Sequence, residues 1–167
     1  MTLKETISSY IRYNHWANER LTQWLQTSSN EVLYTETNAS FASIDLTLQH
    51  MKNAQFFWYE VITEGDVKKL DETIKVKSIE AVIEELLRGS EKMVDTYTTF
   101  SEKQLAADIN SPVMTRTRHD FIMHVINHNS YHRGQIITIA RILGAVSNIP
   151  ETDYETYFWD QETKAKE

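Results

Sequence analysis

The sequence has no cysteine among its 167 residues. This absence excludes disulfide bonds, metal sites built from thiolates and catalysis by a cysteine nucleophile. Glycine and proline are also scarce, at four and two residues, and apolar residues make up 41% of the chain. Such a composition is typical of a compact helical domain and not of a disordered or fibrous chain. At this length we expect a single domain, residues 1–167.

Basic residues are outnumbered, with 17 Lys and Arg against 24 Asp and Glu and a formal net charge of −7. Proteins that bind nucleic acid usually present a basic patch, and no dense cluster of Lys and Arg occurs here. Long apolar runs are missing too: none approaches the ~18 residues that span a bilayer, and the start of the chain has no signal-peptide core. The sequence therefore predicts a cytoplasmic protein that binds neither nucleic acid nor membrane.

Apolar residues recur at spacings of three and four in four long stretches, which this periodicity predicts to be helices. The stretches are residues 3–26, 43–64, 79–97 and 117–143. Ser78 and Thr117 are suited to cap the third and fourth helices at their start, and Gly144 to end the fourth. No strand pattern is of comparable strength, so the predicted fold is all-α, a four-helix bundle.

The segments outside these helices differ in character. Residues 28–42 are predicted to form a polar connection. Residues 98–116 predict a longer crossover connection that allows a short helical turn at about 102–106 and an extended stretch near Pro112. The tail, residues 145–167, holds too many aromatic side chains to leave in water, so we expect it to pack on the bundle. These side chains are Tyr154, Tyr157, Phe158 and Trp159.

The fourth predicted helix carries three histidines at intervals of four in FIMHVINHNSYHRGQI, residues 121–136. On a helical wheel of about 100° per residue, His128 and His132 lie within roughly 20° of the middle of the apolar stripe, and His124 lies about 60° to one side. The inward pair has its rings one turn apart, so both imidazoles can bind one metal ion. Hydrogen-bonded core histidines are the alternative, and the spacing alone favours the two interpretations equally.

A third histidine changes this balance. His50 lies in the apolar row of the second predicted helix and therefore also faces the interior. Three histidines from two helices can form a facial set that leaves positions open for water or substrate. We therefore predict His50, His128 and His132 as ligands of a divalent metal, with Zn, Ni, Fe and Cu all suited to imidazole. No catalytic residue is identified.

The other histidines are assigned lesser roles. His124 is predicted to orient a ligand or line the mouth of the site. His15 is expected at the surface or the rim, and His119 is expected to face solvent. For three further aromatic residues, core packing is favoured over pocket lining: they are Trp16, Trp58 and Tyr131.

Several segments together resemble the DinB-like (DinB/YfiT) family. They are YNHWANERL at residues 13–21, His50 followed by Trp58, HVINHNSYHRGQ at residues 124–135, and PETDY at residues 150–154. The resemblance covers essentially the whole chain, and the His-x-x-x-His-Arg-Gly-Gln element is its most specific part. It implies a four-helix bundle, often homodimeric, in which three histidines bind a divalent metal. Related families with this fold include enzymes that use a low-molecular-weight thiol as cosubstrate, such as bacillithiol or mycothiol transferases.

For the three residues that follow His132, structural roles are favoured over catalysis. Arg133 is expected to meet a neighbouring helix or an acidic partner. Gly134 costs roughly 1 kcal/mol relative to Ala in mid-helix, which suggests close approach of another backbone. Gln135 is expected to form a hydrogen bond across the bundle.

The expected function is that of a metal-dependent enzyme of the thiol S-transferase type, acting on a small electrophile. Because the chain lacks cysteine, the sulfur must come from a thiol cosubstrate. Hydrolysis is the enzymatic alternative, although the residues between His128 and His132 are Asn, Ser and Tyr and supply no H-E-x-x-H glutamate. A non-catalytic metal-binding stress protein and a helical dimerisation module with hydrogen-bonded histidines are the remaining alternatives.

Overall fold

The computed structural model describes residues 1–65, 78–112, 114–145 and 147–165. In chain order its elements are α1 (Leu3–Leu25), α2 (Asn30–Tyr34), α3 (Ile44–Glu64), α4 (Ile79–Tyr97), α5 (Glu102–Ala106), β1 (Asp108–Asn110), β2 (Thr115–Thr117), α6 (Arg118–Ile142) and α7 (Tyr154–Lys164). The four long helices form a square in which α1 and α3 each pack against both α4 and α6. The predicted all-α bundle is confirmed.

Local sequence signals fix the ends of the long helices. The Ser78 and Thr117 side chains accept hydrogen bonds from the N–H groups of Ala81 and Asp120, so both predicted caps are confirmed. Gly144 follows the last residues of α6 with a φ of +86°, the left-handed conformation that ends a helix. None of the helices in the described part of the chain is long and apolar enough to cross a membrane.

The connections contain more structure than the polar patterns predict. Helix α2 lies inside residues 28–42 and buries Val32 and Leu33, so this polar connection contains a short helix that the sequence pattern did not predict. The crossover holds α5, where a helical turn was expected, and an antiparallel hairpin in which Ile109 faces Arg116. The extended stretch predicted near Pro112 is therefore present, with residue 113 outside the described part.

The tail packs on the bundle through one face of α7. Tyr154 stacks on Tyr10 with ring centroids 4.3 Å apart, and Tyr157 is only 7% exposed. The expected packing of the tail on the bundle is therefore confirmed, although Phe158 and Trp159 remain 45% and 66% exposed. A short helix on the outside of a bundle can bury only one of its faces.

A layer of buried polar side chains divides the core halfway along the bundle. One apolar cluster contains Ile7, Ile11, Val61 and Met93, and another contains Leu21, Leu48, Leu86 and Ile136. The polar side chains between them come from three of the long helices. They are Asn14, Asn18, Gln55, Asn129, His132 and Arg133. This layer positions the candidate site.

Candidate metal centre

The packing of α3 against α6 brings the three predicted ligands together. The Nε2 atoms of His50 and His128 lie 3.0 Å apart, and those of His128 and His132 lie 3.2 Å apart. All three residues offer a ring nitrogen within 4.8 Å of the others. His132 is buried, and His50 and His128 are partly exposed. The cluster therefore has a closed side in the core and an open side.

These separations fit a single metal ion. Bonds of about 2.05 Å place neighbouring ligand nitrogens about 3.3 Å apart around a tetrahedral ion and about 2.9 Å apart around an octahedral one. Without a cation, each close pair of ring nitrogens needs a proton between them, and His128 Nε2 would have to serve two neighbours with one proton or one lone pair. The donor set thus fits a divalent metal better than it fits hydrogen bonding alone.

A hydrogen bond on the far side of His132 prepares its ring for this role. His132 Nδ1 lies 2.6 Å from Gln135 Oε1. A carbonyl oxygen only accepts, so Nδ1 carries the proton and, in the neutral ring, Nε2 keeps its lone pair for the cluster. The Gln135 amide donates in turn to the hydroxyls of Tyr131 at 3.0 Å and Ser40 at 3.3 Å. Gln135 therefore holds a candidate ligand, a role that the sequence analysis did not assign to it.

Phe41 covers the cluster from the connection before α3. Its ring stacks on His50 with centroids 4.2 Å apart and meets the His132 ring at 5.6 Å in an edge arrangement. Phe41 was not predicted as part of the site, because it lies in the polar connection at residues 28–42. The signal available was a large aromatic side chain in an otherwise polar segment.

Burial lowers the pKa of all three imidazoles, and repulsion between neighbouring rings adds to this effect for His50 and His128. Burial, followed by the positive charges that His132, His50 and His124 would carry, lowers the pKa of His128 to about 4. Burial and then the charge on His132 lower the pKa of His50. Burial lowers the pKa of His132, against the opposing effect of its hydrogen bond to Gln135. Neutral imidazole is the form that binds metal.

The remaining histidines lie outside the cluster. His124 is exposed, with its ring centroid 5.9 Å from that of His128 and 4.7 Å from that of Trp58. This is the edge position predicted from the wheel, and His124 lines a pocket of about 470 Å³ with Trp58. His15 is partly exposed, consistent with a position at the surface or the rim, and its Nδ1 lies 2.8 Å from the Ser90 hydroxyl. His119 is only partly exposed, since its Nδ1 donates to the Leu105 carbonyl at 3.1 Å.

Arg133 enters the interior on the side of α6 that faces α1. It is 1% exposed and donates to the side-chain oxygens of Asn14 at 3.0 Å and Asn18 at 2.9 Å. Tyr13 and Ser130 accept from its other terminal nitrogen at 3.3 and 2.9 Å. The prediction of a neighbouring helix as partner is confirmed. The contacts found among the described residues are made by amides and hydroxyls, not by an acid.

Expectations for Gly134 and the aromatic residues meet mixed results. A Cβ built on Gly134 meets nothing within 4 Å, so the predicted close backbone approach is wrong. Trp16 is 7% exposed and belongs to the core, as expected. Tyr131 is 60% exposed, so core packing is wrong for this residue. It instead lines a groove beside the histidine cluster.

Fold and site together define a helical-bundle protein with a three-histidine candidate metal centre. A sequence model described as the DinB family matches residues 1–165. The chain is 30% identical over 162 residues to Protein DinB of Bacillus subtilis (strain 168). The alignment covers 91% of this chain and 93% of that relative. The chain therefore belongs to the DinB family.

A solved structure supports the fold. The crystal structure of a DinB-like protein from Bacillus subtilis matches with a TM-score of 0.57 and 16% identity, covering 90% of this chain and 96% of that one. At this identity the similarity concerns the fold alone.

Proposed function

We propose that His50, His128 and His132 bind one divalent metal ion and that the chain is a metal-dependent enzyme of the thiol S-transferase type. The observation that carries the first part is the convergence of three neutral imidazoles, with Nε2 separations of 3.0 and 3.2 Å. The partial exposure of His50 and His128 supports the second part, because a catalytic site must leave a position open.

The chain's own residues prepare the site before any ligand arrives. Gln135 fixes the tautomer of His132, and Phe41 holds the His50 ring by stacking. Burial lowers the pKa of all three rings, to about 4 for His128, and so favours the neutral form that binds metal. Binding therefore displaces few protons, and little side-chain rearrangement opposes it.

A bound divalent ion would lower the pKa of a thiol and stabilise it as the thiolate. The chain has no cysteine, so that thiol is a separate low-molecular-weight cosubstrate. In the proposed reaction the thiol gives its proton to solvent, and its sulfur forms a bond to an electrophilic carbon. The carbon's bond to a leaving group such as halide breaks, and the leaving group departs with both electrons.

Hydrolysis is the enzymatic alternative, and one observation weighs against it. The residues between His128 and His132 are Asn129, Ser130 and Tyr131, so the helical turn that carries two of the candidate ligands supplies no glutamate. Metal-dependent hydrolases commonly use a glutamate beside the ligands as general base. A non-catalytic metal-binding stress protein is the alternative of a different class.

Metal binding is tested by elemental analysis. Protein purified without a nickel column and reconstituted separately with Zn, Ni or Fe should hold about one ion per chain. A content below about 0.2 ion per chain with each metal would refute the metal centre. His50→Ala, His128→Ala and His132→Ala should each reduce the content, whereas His15→Ala serves as a matched control outside the cluster.

Catalysis is tested by conjugation of bacillithiol or glutathione to 1-chloro-2,4-dinitrobenzene, with release of chloride measured alongside. The expected result is turnover that requires metal and is lost in His132→Ala while the circular dichroism spectrum is retained. Metal binding without turnover for any thiol would support the non-catalytic alternative.

We also propose a cytoplasmic homodimer. The proposal stems from the family resemblance and the absence of cysteine. Sedimentation equilibrium would test the dimer, since a mass of about twice the 19.5 kDa chain is expected.

A further inference from the structure

A groove of about 820 Å³ runs along α6 beside the histidine cluster. One wall is the exposed face of α6 from Tyr131 to Leu143, and the other is the connection at residues 36–39. Its volume lies in the range of small-molecule sites, about 300–1,000 Å³. One end of the groove is formed by Tyr131 and Gln135, and Gln135 holds the candidate ligand His132. Gln135 therefore connects the groove to the cluster.

Gly134 forms part of this groove, and the protein's own packing does not explain it. A glycine within a helix costs roughly 1 kcal/mol relative to alanine. A Cβ on Gly89 of α4 would lie 2.6 Å from Gln55 Nε2, so packing requires that glycine. A Cβ on Gly134 would meet nothing within 4 Å. The missing side chain at Gly134 leaves space in the groove and nowhere else.

The walls of the groove indicate what could occupy it. Ile139, Ile142 and Leu143 supply apolar surface, and Ile142 is 73% exposed. Glu36 is the one residue with a formal charge among the described residues that line the groove. An anion would meet this carboxylate and find no compensating cation there, whereas an uncharged or cationic molecule would not be repelled.

We propose that this groove binds the electrophilic substrate, an uncharged or cationic and largely apolar, aromatic small molecule. The inference rests on the proposed function, since Gln135 joins the groove to the ligand that would activate the thiol. Gly134 supplies a flat floor on which a ring can lie. The Tyr131 hydroxyl, which accepts from Gln135 at 3.0 Å, is free to donate its own proton to a polar substituent at the end nearest the cluster.

Nuclear magnetic resonance of the metal-free protein tests this directly. The chain has four glycines, so their ¹⁵N–¹H signals are few and Gly134→Ala identifies the one at 134. The probes are 4-nitrobenzyl alcohol, 4-nitrobenzylamine and 4-nitrobenzoate, which share a ring and differ in charge. We expect the alcohol and the amine to shift the Gly134 signal with Kd values near about 1 mM and the Gly89 signal to stay in place. The benzoate should bind about tenfold more weakly, and Glu36→Gln should narrow that difference.

Two leucine variants make the test specific. Gly134→Leu fills the groove and should weaken binding of 4-nitrobenzyl alcohol at least about tenfold. Asn127→Leu adds the same side chain to an exposed position of α6 outside the groove and should leave the Kd unchanged. Zinc content should be the same in both variants and in the wild type.

Three outcomes would overturn the inference. In the first, none of the probes moves the Gly134 signal. In the second, 4-nitrobenzyl alcohol binds Gly134→Leu and the wild type with equal affinity. In the third, sedimentation shows a dimeric wild type and a monomeric Gly134→Leu, which would mean that a second copy of the chain covers the groove. The titration needs neither metal nor turnover. Probe binding in a protein that fails to bind metal would therefore refute the proposed function alone, and turnover without a shift at Gly134 would refute the groove alone.

Discussion

His132 and Arg133 are neighbours in the chain, yet they belong to two polar clusters with opposite requirements. On the α3 side of α6, His132 turns a ring nitrogen toward two others, 3.2 Å away from the nearest. On the α1 side, Arg133 surrounds its own positive charge with oxygens of Asn14, Asn18 and Tyr13. The first cluster would be completed by the proposed metal ion, whereas the second already contains its cation, Arg133.

The difference shows how one layer of a bundle can hold both a binding site and a structural anchor. Arg133 donates from both terminal nitrogens to four acceptors, so its side chain ties α6 to α1 at a fixed height. On the histidine side, Gln135 orients the ring of His132. Stability should therefore depend on Arg133, and metal affinity on the histidines and Gln135.

The largest expected effect is the loss of Arg133. Arg133→Met removes the donors and leaves the buried oxygens of Asn14 and Asn18 without this partner. We expect the free energy of unfolding of the metal-free protein to fall by about 3–5 kcal/mol, measured by urea denaturation. If this variant does not fold, Arg133→Lys retains the charge and should lose about half as much. A loss below about 1 kcal/mol would mean that the arginine cluster is no anchor.

Loss of a candidate ligand should instead lower the metal affinity and leave the stability of the metal-free protein nearly unchanged. His132→Gln keeps most of the side-chain volume but removes one candidate ligand. Zinc affinity should fall about 100-fold or more, whereas the free energy of unfolding without metal should change by about 1 kcal/mol or less. At zinc concentrations near 100 times the wild-type Kd, metal should stabilise the wild type by about 2.7 kcal/mol and the variant far less. Calorimetry with and without zinc measures both quantities.

The sequence could separate these two sides of α6 because helical periodicity fixes directions. A wheel places His128 and His132 inward and His124 at the edge, as observed. It cannot show which residues stand opposite, so the asparagines around Arg133 were not foreseen. That His50 converges with the pair depends on how α3 packs against α6, which no single-helix pattern contains.

Other features depended on the path of a connection. Phe41 reaches His50 because residues 35–43 fold back over the cluster. The path of such a connection could not be predicted, since it has no periodic sequence pattern. Gly134 misled the sequence analysis for a related reason. A glycine in mid-helix marks a place where a side chain is absent, and only the structure shows that open space lies there instead of a neighbouring backbone.

Gln135 offers a smaller test of the histidine cluster. Gln135→Leu removes the oxygen that accepts from His132 Nδ1, so the ring can rotate or change its tautomer. We expect zinc affinity to fall about tenfold with little change in unfolding without metal. Gln135→Glu retains an acceptor at the same reach and is the matched control, expected to bind zinc at least as well as the wild type. Equal affinity in all three proteins would exclude a positioning role for Gln135.

His128 should also make the free energy of unfolding depend on pH. The pKa of His128 is about 4 in the folded protein, against 6.5 for an ordinary histidine. Between these values the unfolded chain binds more protons, so the free energy of unfolding of the metal-free protein should fall as pH falls from 6.5 toward 4. His128→Gln should show a shallower decline over that window in urea denaturation at a series of pH values. An unchanged slope would mean that other groups control acid unfolding.

The smallest effects are expected at two glycines, Gly89 against the buried polar layer and Gly134 in the groove beside the histidine cluster. Gly89 lies against Gln55, whose amide donates to the Leu86 carbonyl and accepts from Asn129 in the buried polar layer. Gly89→Ala should therefore lower the free energy of unfolding by about 1 kcal/mol or more, because Gln55 must move. Gly134→Ala adds a methyl group into open space and should raise the free energy of unfolding by about 0.5–1 kcal/mol through helix propensity alone. Thermal unfolding of the two variants beside the wild type measures the contrast. Shifts of the same sign would contradict the claim that packing requires one glycine and leaves the other for a ligand.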